Sequence, residues 1–240
     1  MRLLTRGDLD GLTCAVLIKE MEEIGEIVFV HPREVQDGKA EVREGDVIAN
    51  LPYDPRCSMW FDHHVSEEQR AKPPAGLKGR FADGPSAARL VFDYYDSPRL
   101  ERFRRLVEET DRMDSAHLNV DDVVDPKDYV LLFYTIDPRT GLGRYEDYFR
   151  RLVDLIRSKP VDAVLDDEEV RARSRKILEQ QDAFAEFLRS HSRLDGNVAR
   201  HDDGAGDPLD ALRQRRLRPD GKRSQALRRA GAGARTRGKR

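Results

Sequence analysis

The stretch Ser58-Met59-Trp60-Phe61-Asp62-His63-His64 joins an apolar run to three ionisable side chains that can bind metal. A hydrophobic core cannot cover a carboxylate and two imidazoles in succession, so the triplet must lie at the mouth of a site. Met59-Trp60-Phe61 reads as a buried strand, which puts Asp62, His63 and His64 at its C-terminal end. In open α/β sheets, ligands bind at that edge. A second cluster, Gly7-Asp8-Leu9-Asp10-Gly11, follows another apolar run, Leu3-Leu4. Two such clusters, each ending a strand, predict one shared metal site.

Working outward, Arg2 to Thr5 reads as a first strand. Leu12, Ala15, Ile18, Met21 and Ile24 recur at helical spacing. Glu26–Val30, Asp46–Ala49 and Met59–Phe61 read as three more strands. This alternation predicts an α/β fold, a parallel sheet with helices on both faces. From Pro85 onward the pattern is helical, over 87–95, 98–110, from Asp125-Pro126 to Ile136, and over 145–156. A long charged helix with a thin apolar stripe (Val170, Ile177, Leu178, Phe184, Leu188) is expected over 166–191. The expected organisation is a catalytic domain over 1–165, a linker helix over 166–196 and a basic tail over 197–240. The tail has too few apolar residues to offset its ordering entropy by burial. It reads as a disordered segment standing where a further domain has been lost, or as a contact for nucleic acid.

The 240 residues carry a net charge of −2, which hides an asymmetry. Residues 197–240 have a balance of +8 and the remainder −10. An acidic body suits cation binding and argues against a broad nucleic-acid platform. No apolar stretch is long enough to span a membrane, and the N-terminal residues lack a signal-peptide apolar region. Two cysteines, Cys14 and Cys57, make no disulfide framework, so a cytoplasmic setting is expected. Cys14 reads as a small core residue of the first helix.

Asp-x-Asp-Gly alone is a common turn. Beside Asp-His-His it supplies hard carboxylate oxygens and imidazole nitrogens, a mix suited to Mn²⁺ or Mg²⁺, with Zn²⁺ a further option. Two such ions ~3.5–4 Å apart can activate water and clamp a phosphoryl oxygen. The bland alternatives are a solvated loop for the triplet and a helix-initiating turn for Asp8 and Asp10. His31, after the second strand, reads as structural. Arg33, Arg80 and Arg112 are candidate phosphate contacts.

Thr5-Arg6-Gly7-Asp8-Leu9-Asp10-Gly11 together with Phe61-Asp62-His63-His64 resembles the DHH phosphoesterase superfamily, and within it the bacterial exopolyphosphatase-related and RecJ-like proteins. The resemblance covers roughly residues 1–195 and implies a metal-dependent phosphoesterase. It would hydrolyse a phosphodiester or phosphoanhydride in an oligonucleotide, a cyclic nucleotide or polyphosphate, through metal-activated water. It implies that Asp8 and Asp10 each hold one metal and that His63 is a ligand. His64 would contact phosphate and protonate the leaving group, and Asp62 would orient the neighbouring imidazole. A later acidic residue should complete the second metal; Asp111 is the choice, with Asp114 close behind.

Three departures stand out. The family often has a His or Asp a few residues before the first motif aspartate, where this sequence offers Leu4, Thr5 and Arg6. The position after the third strand where the family has a metal-bridging aspartate reads Asn50, a weaker ligand, so the site is expected to hold one or two ions of Mn²⁺ or Mg²⁺. No Gly-Gly-Gly-His loop of the family's second, substrate-binding (DHHA1) domain follows. The partners expected are a phosphorylated small molecule or short oligonucleotide, without a membrane, and a homodimer is left open. Two rival readings remain. One is a degenerate member that binds metal or nucleotide without turnover. The other is a haloacid-dehalogenase-type phosphatase with Asp8 as nucleophile.

Overall fold

The computed structural model describes residues 1–67, 69–136, 145–195 and 198–201. It forms two compact units, Met1–Asp167 and Glu168–Arg240. The first unit carries a five-stranded sheet built from β1 (Arg2–Thr5), β2 (Glu26–Phe29), β3 (Val47–Ala49), β4 (Met59–Asp62) and β5 (Lys78–Phe81). The order is β2-β1-β3-β4-β5, and every pairing is parallel. The chain leaves β1 toward β2 on one side, then crosses back to place β3 on the other. The seam between β1 and β3 is therefore the topological switch point, where such sheets open a crevice at their C-terminal edge.

Helix α1 (Leu9–Met21) fills one face of the sheet. It is buried on all sides from Asp10 to Ile18, as expected of a helix packed between layers. Its neighbours are β1 and β3 beneath and α3 (Ala87–Tyr95), α4 (Arg104–Asp114) and α7 (Tyr145–Ser158) around it. The opposite face packs around Leu4, Ile48 and Trp60, covered by Val35 of the short helix α2 (Pro32–Gln36) and by Val42, Leu51 and Cys57 from connecting segments. Helices thus lie on both faces, as the strand–helix alternation predicts. Trp60 is fixed from two directions: its indole N–H donates to Leu51 O at 2.9 Å, and its ring stacks on Phe81 at 4.9 Å.

Strand β5 and helix α2 are additions to the sequence reading. Lys78-Gly79-Arg80-Phe81 is a polar edge strand with an alternating, half-exposed pattern, so it lacks the apolar run that marks β3 and β4. Gly79 has φ +109°, and a Cβ there would stand 2.0 Å from Trp60 O. Only glycine fits where β5 crosses β4 this closely. His31 caps α2, accepting from Arg33 N at 3.1 Å while Glu34 bonds back to His31 N, which is the structural role expected of it.

The helix expected from Asp125-Pro126 is α6 (Asp128–Tyr134), and a further short helix, α5 (Val120–Val124), precedes it across Asp125-Pro126. Helix α8 (Val161–Leu165) ends the first unit. In the second unit α9 (Glu168–His191) matches the predicted long helix, and β6 (Ser192–Asp195) pairs antiparallel with β7 (Val198–His201). That hairpin falls where the linker was expected to give way to the tail. The remainder of the predicted tail, residues 202–240, lies outside the described residues. Among the described residues, no helix is long and apolar enough to cross a membrane.

Candidate metal centre

Three chain segments converge at the C-terminal edge of the sheet. Asp8 follows β1 and caps α1, its Oδ1 accepting from Gly11 N at 2.9 Å. Gly11 is required here, since a Cβ would meet Arg6 O at 2.0 Å. Asp10 sits in the first turn of α1 and is 1% exposed. Its carboxylate accepts from Ala87 N at 2.9 Å and Ala88 N at 2.8 Å, so it caps the N-terminus of α3 from outside that helix. This fixes the side chain and favours negative charge there.

Asp62 ends β4. Its Oδ1 accepts from His63 N at 3.0 Å and lies 2.7 Å from His64 Nδ1. The imidazole that Asp62 orients is therefore that of His64. His63 is oriented separately, with Nδ1 donating to Gly84 O at 3.0 Å. That bond places a proton on Nδ1, because a carbonyl oxygen only accepts. His63 Nε2 is buried and has no hydrogen-bond partner. It faces Asp10 Oδ2 at 3.6 Å and Asp114 Oδ2 at 3.4 Å. Ligand atoms of Asp10, His63 and Asp114 all lie within 4.8 Å of one another.

The two late acidic candidates, Asp111 and Asp114, have different partners. Asp111 accepts from Ser86 Oγ at 2.6 Å and pairs with Arg89, at 2.8 Å to Nε and 2.6 Å to Nη2. That pairing ties α4 to α3 and commits Asp111 away from His63. Asp114, one turn later on α4, is the carboxylate that faces the imidazole. Asp114 closes the C-terminal turn of its helix, where a negative charge opposes the helix dipole. Such a position is relieved by a cation.

Burial pushes the carboxyl of Asp10 well above its usual range, and the nearby charges of Asp114 and Asp8 push the same way. Asp114 and Asp8 are raised too, by burial first. Asp10 and Asp114 face the His63 nitrogen, and neither is paired with a Lys or Arg among the described residues, so the residues fit a divalent cation. The hard oxygens with one nitrogen suit Mn²⁺, Mg²⁺ or Zn²⁺ without choosing among them.

Asp8 and Asn50 meet across the β1–β3 seam. Asn50, at φ +54°, donates from Nδ2 to Asp8 Oδ1 at 3.0 Å, and Arg6 Nε pairs with Asp8 Oδ2 at 2.9 Å. Asp8 is not part of the Asp10–His63–Asp114 group. Of the arginines proposed for phosphate, Arg112 is held between Glu109 and Asp122, and Arg33 pairs with Asp37. Arg80 is 4.0 Å from Asp93. The sequence reading passed over Gly84 O and the Ala87–Ala88 amides. The signal for the last was Pro85-Ser86-Ala87-Ala88, a capped helix start close behind Asp-His-His in the fold.

These features define a parallel α/β domain with a carboxylate–imidazole cluster at the C-terminal edge of its sheet that fits a cation. The chain is similar to a solved DHH-family enzyme, which supports a DHH-superfamily phosphoesterase. That structure is PggH, a pGpG-specific phosphodiesterase from Vibrio cholerae, with TM-score 0.74 and 32% identity. The match covers 82% of this chain and 66% of the Vibrio protein, so the chain spans just under two thirds of that relative's length. An uncharacterized protein from Helicobacter pylori G27 aligns at TM-score 0.40 and 13% identity over 88% of this chain and 77% of its own, too distant to weigh. No family model and no curated protein matches.

Proposed function

We propose that this chain is a metal-dependent phosphodiesterase acting on short phosphorylated nucleotides, with Asp10, His63 and Asp114 as the cation's ligands. The observation that carries this reading is His63 Nε2, buried without a hydrogen-bond partner between the carboxylates of Asp10 and Asp114. A divalent cation bound there supplies Lewis-acid polarisation of a phosphoryl oxygen and lowers the pKa of water.

The chain's own residues do the rest. Asp10 is held by the α3 amides, so its position is set before any ligand arrives. His63 is oriented by Gly84 O. His64 is half-exposed, with Nδ1 committed to Asp62, which leaves Nε2 for a phosphate or leaving-group oxygen. The Asp62 hydrogen bond raises the pKa of His64 and favours its charged, proton-donating form. His64 is thus placed to protonate the departing oxygen.

PggH acts on pGpG, so a 5′-phosphorylated dinucleotide is the first substrate to try. The test is product release from pGpG, a cyclic dinucleotide and polyphosphate by chelator-stripped chain, with and without Mn²⁺. Nucleotide release that needs the metal and vanishes in His63→Ala supports the reading. Release that is unchanged by stripping sinks it. The haloacid-dehalogenase alternative has little support, because both oxygens of Asp8 are engaged by Gly11, Asn50 and Arg6. A nucleophilic carboxylate needs one free.

A further inference from the structure

Asp8 is the carboxylate that a second metal would require, and its bonding is already nearly complete. Oδ1 takes two N–H donors, Gly11 N at 2.9 Å and Asn50 Nδ2 at 3.0 Å. Oδ2 is paired with Arg6 Nε at 2.9 Å. A carboxylate offers roughly four lone-pair sites over its two oxygens, so both oxygens here are in use. The position after β3 that could bridge two ions holds the amide of Asn50, which donates from Nδ2 to Asp8 and leaves its Oδ1 buried without a hydrogen-bond partner. A neutral amide does not offset repulsion between dications ~3.5–4 Å apart as a bridging carboxylate does.

Arg6 replaces more than a packing contact. It lies between β1 and the Asp8 cap, its side chain is 45% exposed, and its Nη groups make no hydrogen bond among the described residues. Its charge acts on Asp114 as well as on Asp8. A guanidinium anchored through Nε presents its planar outer edge, which matches phosphate oxygens in a bidentate fork.

Resting on the phosphodiesterase reading above, we infer that the site is built for a single divalent cation, and that Arg6, held by Asp8 and Asn50, supplies the second positive charge and binds a phosphate oxygen of the substrate. Asp8 is then a positioning residue for Arg6 rather than a metal ligand.

The test counts ions and needs no turnover. The full chain is stripped, loaded with Mn²⁺, desalted and analysed by mass spectrometry for metal and by electron paramagnetic resonance. The wild type should hold one Mn²⁺ with an uncoupled spectrum. Arg6→Lys should still hold one, and the double variant Arg6→Ala/Asn50→Asp should hold two with exchange coupling. Inorganic phosphate should bind the Mn²⁺-loaded Arg6→Ala chain at least tenfold more weakly than wild type. Two ions in the wild type, none, or a single ion in the folded double variant overturns the inference. The wild-type count decides alone should the double variant fail to fold. One ion in a chain without phosphodiesterase activity leaves this inference standing and removes the functional reading. Two ions in an active chain do the reverse.

Discussion

Asp114 Oδ2 stands 3.4 Å from His63 Nε2, at the end of a helix whose neighbouring acid, Asp111, turns away to Arg89. Two carboxylates three residues apart on α4 thus have different work. One faces the imidazole and the other fastens α4 to α3.

Asp111→Asn should therefore act on stability. It leaves the Arg89 guanidinium short of a counter-ion in a largely buried setting, at a cost of about 1–3 kcal/mol. Urea denaturation should show the loss, while Mn²⁺ affinity by calorimetry stays within a few-fold of wild type. Loss of metal binding without loss of stability would reassign Asp111 to the site.

Arg2 and Asp46 form a second buried pair, at 2.7 Å and with both side chains at most 10% exposed. Arg2→Ala strands Asp46 beneath β1 and β3 and should cost about 3–5 kcal/mol. A denaturation midpoint within error of wild type would show that Asp46 is adequately held by Arg43 N alone.

His64 is assigned to the leaving group, so its loss should depend on how much help that group needs. His64→Ala should slow hydrolysis of a dinucleotide by about 10²–10⁴-fold. It should slow an activated p-nitrophenyl diester far less, since p-nitrophenolate departs unprotonated. Equal losses on both substrates would move His64 from proton donation to phosphate binding.

Burial and the nearby Asp54 charge push the Cys57 thiol up to about 11. The folded chain therefore keeps a proton that the unfolded chain releases near pH 9. Between about pH 9 and 11 the folded state binds more protons, so stability falls as pH rises. Cys57→Ser should flatten that part of a stability–pH profile; an unchanged slope would place its origin elsewhere.

Gly79→Ala drives a methyl group into the Trp60 carbonyl at a backbone angle that alanine rarely adopts. It should destabilise the chain by roughly 2 kcal/mol or more, read as a drop in Tm. A neutral result would mean that β5 can leave the sheet without consequence.

Much of this was legible in sequence because the informative residues are local. Met59-Trp60-Phe61 is apolar at every position since β4 is covered on both faces, and Asp62-His63-His64 must then emerge at its end. Asp8-x-Asp10-Gly11 carries its own turn chemistry, with Gly11 required by the close approach of Arg6 O. What was not legible depended on distant partners. Asp111 and Asp114 are equivalent in sequence, and only the placement of Arg89 and Ser86 on α3 separates them. Strand β5 hid because an edge strand needs no apolar run. The role of Asp62 was half visible: a histidine next to an aspartate invites pairing, but Gly84 O, reached across the fold, decides which imidazole Asp62 receives.

The central claim is that Asp10, His63 and Asp114 hold a cation that hydrolysis requires. The most direct measurement is the rate of pGpG cleavage by stripped and Mn²⁺-reloaded chain, wild type beside Asp114→Asn. The account predicts metal-dependent cleavage in the wild type and a loss of at least about 100-fold in Asp114→Asn at matched folding. Cleavage by Asp114→Asn at the wild-type rate, or by stripped wild type without metal, would contradict it.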